Sequence, residues 1–257
     1  MIAGALTGLL AMVVALTLVW VLSVRLRDAS IVDICWGPGF VLLAWLYAAL
    51  FDAFTPRPVL VGVLVTLWGV RLAVHIFRRH RGEDPRYAAM RAARGPAFWW
   101  RSLLVVFWLQ AVILWFVALP LLVTAAVPGP PAVTITDVLG VVLFATGFAF
   151  EAIGDAQLAR FRSDVSNRGT VLDTGLWRYT RHPNYFGDAL LWWGVYLIAL
   201  SAPGGWITIA SPLVMTLLLL RVSGVTLLER GLSASKPGYA EYVARTSAFV
   251  PWMPRPR

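Results

Sequence analysis

The chain alternates long apolar stretches with short polar ones. Seven apolar stretches stand out, roughly Ile2–Val24, Ile34–Phe51, Val59–Phe77, Trp99–Ala125, Ile135–Leu158, Ala189–Ala202 and Ile207–Leu228. A helix needs about 20 apolar residues to cross the hydrocarbon core of a bilayer, so each stretch predicts a spanning helix. The sixth is short and is extended by the turn at its start. The fourth holds Pro120, which predicts a kink there. Tight connections at Asp52–Pro58, Val127–Thr134 and Pro203–Trp206 carry the Pro and Gly that make turns. No internal repeat is visible. The expected fold is one all-α domain over residues 1–257, a multi-pass membrane bundle of about seven transmembrane helices.

Composition agrees. Of 257 residues, 59% are hydrophobic and only 14% charged, against about 25% charged in soluble domains. Mean hydropathy is +0.74. The first apolar stretch has no signal-peptide cleavage pattern after it and is expected to be retained. The single cysteine, Cys35, excludes an internal disulfide and any multi-cysteine metal site.

The net charge of +9 suggests nucleic acid until the basic residues are located. Nineteen of the twenty-two fall on one side, in the segments after the first, third, fifth and seventh stretches and, for Arg101, at the very start of the fourth. Arg57 alone lies on the opposite side, and Arg71 and Arg221 lie within stretches. By the positive-inside rule the N-terminus is outside and the C-terminus cytoplasmic. The charge is therefore largely topological and no nucleic-acid partner is expected. The expected location is a bacterial cell membrane, with the active site facing the cytoplasm. Oligomeric state is left open.

Ionisable residues in or beside spans are costly, and so are candidate functional groups. Asp33 stands at the start of the second span. Arg71 and His75, four apart, lie late in the third. Glu151 and Asp155, also four apart, share a helix face near the end of the fifth. Asp188 opens the sixth, and Arg221 and Glu229 lie late in the seventh. All fall toward the cytoplasmic leaflet, as a polar pocket open to the cytoplasm requires. Interhelical salt bridges are the alternative reading.

The densest polar segment is Arg178–Asp188, RYTRHPNYFGD, immediately before a very apolar run. Pro183 suits the first turn of a helix. Helix N-termini favour anions, and Arg178, Arg181 and His182 add positive charge. Asn184, Tyr185 and Asp188 do nothing for membrane orientation and are candidate ligand contacts. Gly187 leaves room for close approach to the backbone. Phosphate-binding GxxxxGK[ST] and dinucleotide GxGxxG patterns are absent. The three histidines lack zinc spacing, and HExxH and GxSxG are absent, so neither a metal nor a serine hydrolase is expected.

Taken together, LWRYTRHPNYFGD (Leu176–Asp188), DICWGPGF (Asp33–Phe40), RLAVHIFRRHRGEDPRY (Arg71–Tyr87), EAIGDAQLARFR (Glu151–Arg162), SGVTLLE (Ser223–Glu229) and PGYAEYVARTSAFVPW (Pro237–Trp252) resemble the steroid 5-alpha-reductase-like membrane family. The closer match is its prokaryotic branch, a DUF1295-like domain family of unknown function, with the C-terminal signature over 135–252. The resemblance implies a seven-helix reductase using NADPH. Hydride would pass to the β-carbon of a C=C bond conjugated to a carbonyl in a steroid, polyprenyl or acyl lipid, and a proton to the α-carbon. Carried over by position, the cofactor contacts fall on Asp155, Arg162, Asn184, Asp188, Arg221 and Glu229. Arginines suit the phosphates, and the Asn184 amide suits a carboxamide. Steroid-reducing members place a glutamate near the second span and a tyrosine after the third to polarise the carbonyl. Asp33 stands near the first position. Ile76 stands at the second and cannot donate, so Tyr87 and His75 are the candidate replacements.

RHPxY before a late span also resembles the isoprenylcysteine and phospholipid methyltransferases, which use S-adenosylmethionine. That ligand has no phosphates and carries a sulfonium, so it favours acids and aromatic faces. Arg162, Arg178, Arg181 and Arg221 favour NADPH. A non-catalytic lipid-binding protein is the remaining alternative. A lipid-like substrate is expected to enter laterally from the bilayer.

Overall fold

The computed structural model describes residues 1–222 and 238–255. Among them the chain is helical. The elements are α1 (Ile2–Leu26), α2 (Ile31–Ile34), α3 (Trp36–Leu50), α4 (Pro56–Arg79), α5 (Pro85–Arg94), α6 (Phe98–Ser102), α7 (Leu109–Val117), α8 (Leu119–Ala126), α9 (Ile135–Ser163), α10 (Pro183–Ala199), α11 (Ala210–Leu217) and α12 (Tyr239–Arg245). Helix covers most of the described part of each of the seven expected stretches, with breaks at Cys35 and Ala118 and a turn from Leu200 that ends the sixth. Ile2–Leu26, Pro56–Arg79, Pro85–Val117 and Ile135–Ser163 are long and apolar enough to cross a membrane. Trp36–Leu50 and Gly205–Arg221 are shorter apolar helices. Glu229 lies outside the described residues.

Two compact units make up the chain, Met1–Ala132 with Ala199–Thr208, and Val133–Ile198 with Ile209–Arg257. The sequence alone predicts one domain; the second unit nearly coincides with the signature region 135–252.

In the first unit, α3 packs on α4 and α1 packs on α3 and α7. The core holds Met12, Leu16, Phe40, Leu43, Tyr47, Val65, Trp68, Phe107 and Leu114, all essentially inaccessible. The α3–α4 contact is close because both helices present glycine: a Cβ on Gly69 would lie 2.7 Å from the Gly37 carbonyl oxygen. Leu6, Leu10, Val14 and Leu18 recur every four residues on α1 and are all exposed. An exposed leucine–valine stripe suits lipid and not water. Pro120 breaks the fourth stretch as expected, with Ala118 at φ −78° and ψ 0° between α7 and α8. A π-helical segment, Leu103–Trp108, precedes α7. Arg57 donates to the carbonyls of Pro130 (2.9 Å) and Ala132 (3.2 Å), so this lone cation clips a turn.

In the second unit, α9 begins with a capping box. Thr134 accepts from the Asp137 N–H, and the Asp137 carboxylate accepts from the Thr134 N–H. Further along, α9 meets α10 through a glycine seam. Gly140, Gly147 and Gly154 recur every seven residues on α9, and Gly187 and Gly194 on α10. A Cβ on Gly147 would lie 2.5 Å from the Gly187 carbonyl oxygen, and one on Gly194 2.5 Å from that of Gly140. Small residues let membrane helices approach closely where lipid gives no hydrophobic drive. The close approach expected at Gly187 is that of α9.

Candidate functional site

In the first unit the polar residues converge on Asp33, which sits on α2 just before α3. Asp84 caps α5, accepting from the Arg86 N–H at 2.9 Å, with Pro85 in the first turn. That start places Arg86 and Tyr87 beside Asp33. The Tyr87 hydroxyl donates to Asp33 Oδ1 at 2.7 Å. The Arg86 guanidinium reaches Asp33 Oδ2 at 3.0 Å and Asp84 Oδ1 at 2.9 Å. From α7, Gln110 Nε2 donates to the Tyr87 oxygen at 3.2 Å, and Trp36 Nε1 donates to Gln110 Oε1 at 2.6 Å. Burial pushes the Asp33 carboxyl above the usual carboxylate range, and the Tyr87 O–H and Arg86 charge only partly offset it. Asp84 goes the other way: burial opposes, but the hydrogen bonds from Arg86 hold it below its ordinary value.

A second set of bonds stitches the segment after α1 to the segment after α4. Asp28 accepts from Ser30 Oγ at 2.6 Å and meets His80 Nε2 at 2.8 Å. The Asp84 N–H donates to Ser30 Oγ at 3.1 Å, and the Ala29 N–H to Glu83 at 2.9 Å. Arg91 grips Glu83 with a two-pronged contact of 2.7 and 3.0 Å and lies over the Phe98 ring at 4.7 Å. The hydrogen bond from Arg91 holds the Glu83 carboxyl below its ordinary value. These bonds fix the α4–α5 turn, and so the approach of Tyr87 to Asp33.

Of the three residues expected to handle a carbonyl, Asp33 and Tyr87 are thus joined. His75 is half-buried on α4, and the bonds described at the pair come from Arg86 and Gln110. Gln110, Trp36 and the Asp28–Ser30–His80 set were not singled out from sequence. Gln110 had a signal: it is a polar amide in the otherwise apolar helix α7.

In the second unit, Glu151 and Asp155 are 3% and 5% exposed on α9, facing the α10 side of the glycine seam. Asn184, in the first turn of α10, donates to Asp155 Oδ1 at 3.0 Å, and its own oxygen accepts from the Tyr185 N–H at 3.1 Å. An amide has two N–H groups and two lone pairs, so these bonds use half its capacity. His182 is buried and stacks flat on Tyr185, centroids 5.6 Å apart. Asp188 is half-buried one turn after Asn184. Arg162, Arg178 and Arg221 are exposed.

Arg181 has partners the sequence did not suggest. Expected as an anion ligand, it is buried, and its guanidinium donates to the carbonyls of Val243 (3.2 Å) and Thr246 (2.5 Å) at the C-terminal end of α12. A cation suits that end of a helix. Its N–H donates to the Ser247 carbonyl at 2.9 Å. Neighbours do likewise: Thr180 Oγ1 donates to Phe249, and Tyr242 donates to the Trp177 carbonyl. Part of the RYTRHPNYFGD segment is a fastening for the C-terminal tail.

Among the described residues no group of three or more His, Cys, Asp or Glu is placed to hold a metal ion.

A family model described as a protein of unknown function (DUF1295) matches residues 19–246, across both units. The chain belongs to the DUF1295 family. A curated relative is "Uncharacterized protein C594.04c" of Schizosaccharomyces pombe (strain 972 / ATCC 24843), 27% identical over 223 residues. The match covers 76% of this chain and 64% of that protein, so this DUF1295 chain spans less than two thirds of its relative's length. No solved structure matches it.

Proposed function

We propose that this DUF1295 protein is an integral membrane NADPH-dependent reductase, acting at the cytoplasmic face on a C=C bond conjugated to a carbonyl in a lipid-like substrate. The observation that carries the reading is the Asp33–Tyr87 pair. A half-buried acid, its proton affinity raised by desolvation and its carboxylate bonded to a buried phenol, is suited to protonating or hydrogen-bonding a carbonyl oxygen. Arg86 stands on the far oxygen of Asp33 and keeps the pair oriented. As electron density moves onto the carbonyl oxygen, the pair supplies the donor that stabilises it.

The second unit's donor set fits a phosphorylated dinucleotide. Arg162, Arg178 and Arg221 present exposed guanidiniums suited to phosphates, and Asn184 and Asp155 a paired amide and carboxylate suited to a carboxamide or ribose hydroxyl. When bound, NADPH supplies the hydride delivered to the β-carbon. Asp155 fixes the Asn184 amide, and the bonds of Arg181 to the tail hold the entry to α10 that carries Asn184.

The test is transfer of label. Detergent-purified protein is incubated with NADPH deuterated at nicotinamide C4 and a panel of α,β-unsaturated sterols, polyprenals and acyl chains. Deuterium at the product β-carbon, lost in Tyr87→Phe, is the expected result. No labelled product from any class would remove the reading.

A second reading has one observation in its favour. The two buried carboxylates Glu151 and Asp155 suit a sulfonium, as in an S-adenosylmethionine-dependent methyltransferase. Methyl transfer to a lipid acceptor from labelled S-adenosylmethionine in the same preparation would favour it.

A further inference from the structure

Four side chains in the first unit form a single file. Trp36 Nε1 meets Gln110 Oε1 at 2.6 Å, Gln110 Nε2 meets the Tyr87 oxygen at 3.2 Å, and the Tyr87 hydroxyl meets Asp33 Oδ1 at 2.7 Å. The indole N–H can only donate. It therefore settles which end of the Gln110 amide faces it, and the NH₂ end must face Tyr87. A phenol oxygen has one hydrogen and two lone pairs. With one lone pair taken by Gln110, the hydroxyl hydrogen cannot turn toward Gln110, which has no acceptor on that side.

We propose that Gln110, its amide oriented by Trp36, is a positioning residue for Tyr87, restricting the phenolic hydrogen to two destinations, Asp33 or a bound carbonyl oxygen. This rests on the reductase reading for its second destination only. The consequence is a reversible arrangement. While Asp33 is ionised it accepts the Tyr87 hydrogen. Once Asp33 holds a proton it can donate to the remaining lone pair of the Tyr87 oxygen, and the phenol hydrogen then has only the substrate carbonyl to face. Burial raises the proton affinity of Asp33, which makes that arrangement accessible. The charged and titratable groups around Asp33 are Arg86 and Tyr87 on α5, Asp84 at its cap, Arg79 at the end of α4, and Cys35 on its own segment.

Three variants separate this from a packing role. Gln110→Glu keeps the shape and the acceptor for Trp36 but turns an acceptor toward Tyr87, giving its hydrogen a third destination. Gln110→Leu removes the donor without adding an acceptor. Trp36→Phe releases the amide to flip. The readout is the titration of the Asp33 side-chain carboxyl by ¹³C NMR in protein labelled at aspartate Cγ, assigned with Asp33→Asn. It needs no substrate.

The Asp33 midpoint is expected to rise in Gln110→Leu, to rise further in Gln110→Glu, and to fall between wild type and Gln110→Glu in Trp36→Phe, with thermal stability retained. In turnover, Gln110→Glu is expected to lower kcat about tenfold, shift its pH profile with the Asp33 midpoint, and leave the KM for NADPH unchanged. Identical Asp33 midpoints in wild type, Gln110→Leu and Gln110→Glu would overturn the proposal. If the midpoints move in this order while wild type reduces no enone, the positioning of Tyr87 stands and the reductase reading falls.

Discussion

The two units hold their polar residues in opposite ways. In the first, side chain meets side chain: Asp33, Arg86, Tyr87, Gln110 and Trp36 bond to one another across α2, α3, α5 and α7. In the second, a cluster around the start of α10 meets backbone: Arg181, Thr180, Tyr242 and Trp177 each donate to a main-chain carbonyl. A side chain bonded to a carbonyl of the main chain is holding the fold, because helix ends and turns need those partners. A side chain bonded only to other side chains has geometry that serves something else. By that criterion the motif densest in charge is in good part architectural, and the sparser cluster around Asp33 is the better candidate for chemistry. Side-chain pairs occur in the second unit as well, Arg245 with Asp173 and Asn184 with Asp155, and the second of these is where the cofactor reading rests.

The sharpest way to break this contrast is to remove the chemistry of one unit and look for effects in the other. Tyr87→Phe and Asp33→Asn are expected to lower turnover by about 10²- to 10⁴-fold, the usual range for a lost acid–base group. Stabilisation by NADPH should be unchanged, read as a thermal shift in detergent. Loss of that shift in Tyr87→Phe would mean that the two roles are not separable.

Much of this was legible in the sequence, and the failures have physical causes. The helices were visible because a bilayer demands unbroken apolar length, and the break at Ala118 because proline cannot continue a helix. Asp33 and Tyr87 were both singled out, though nothing local said that they touch: the α5 cap that joins them depends on Asp84. Gln110 escaped because a neutral amide leaves no trace in a search for charge. The hold of Arg181 on the tail left no local signal, because the carbonyls of Val243 and Thr246 lie more than sixty residues away. Close approach to the backbone at Gly187 was legible, and the matching glycines on α9, seven apart, say what approaches.

The glycine seam supplies the next test. Gly187→Ala is expected to destabilise by about 1–3 kcal/mol through overpacking, because its Cβ would lie 2.5 Å from the Glu151 backbone nitrogen. Thermal unfolding measures it, and an unchanged midpoint would mean that α9 and α10 do not touch there. Arg181→Met should cost about 2 kcal/mol, since the carbonyls at the end of α12 lose a charged donor. Any NADPH shift should survive it once the lower stability is allowed for. A selective loss of NADPH binding at full stability would return Arg181 to the list of ligand contacts.

The smallest expected effect is on pH dependence. The Glu83 carboxyl lies below its ordinary value of 4.5 in the folded protein. The unfolded chain therefore binds the proton more readily, and the stabilisation is full above about pH 4.5 and lost as pH falls through the folded value. Arg91 is partly exposed, so the contribution is about 1 kcal/mol or less. Glu83→Gln should flatten the acid limb of stability against pH by that amount. An unaltered limb would mean that the stitch between Glu83 and Arg91 does not hold the α4–α5 turn.

The most direct measurement is ligand stabilisation of the detergent-purified protein by NADPH and by S-adenosylmethionine, in wild type and Asn184→Ala. At a ligand concentration 100 times its Kd, NADPH should stabilise wild type by about 2.7 kcal/mol and Asn184→Ala not at all, with S-adenosylmethionine inert toward both. Stabilisation by S-adenosylmethionine alone, or equal stabilisation of Asn184→Ala by NADPH, would contradict the assignment.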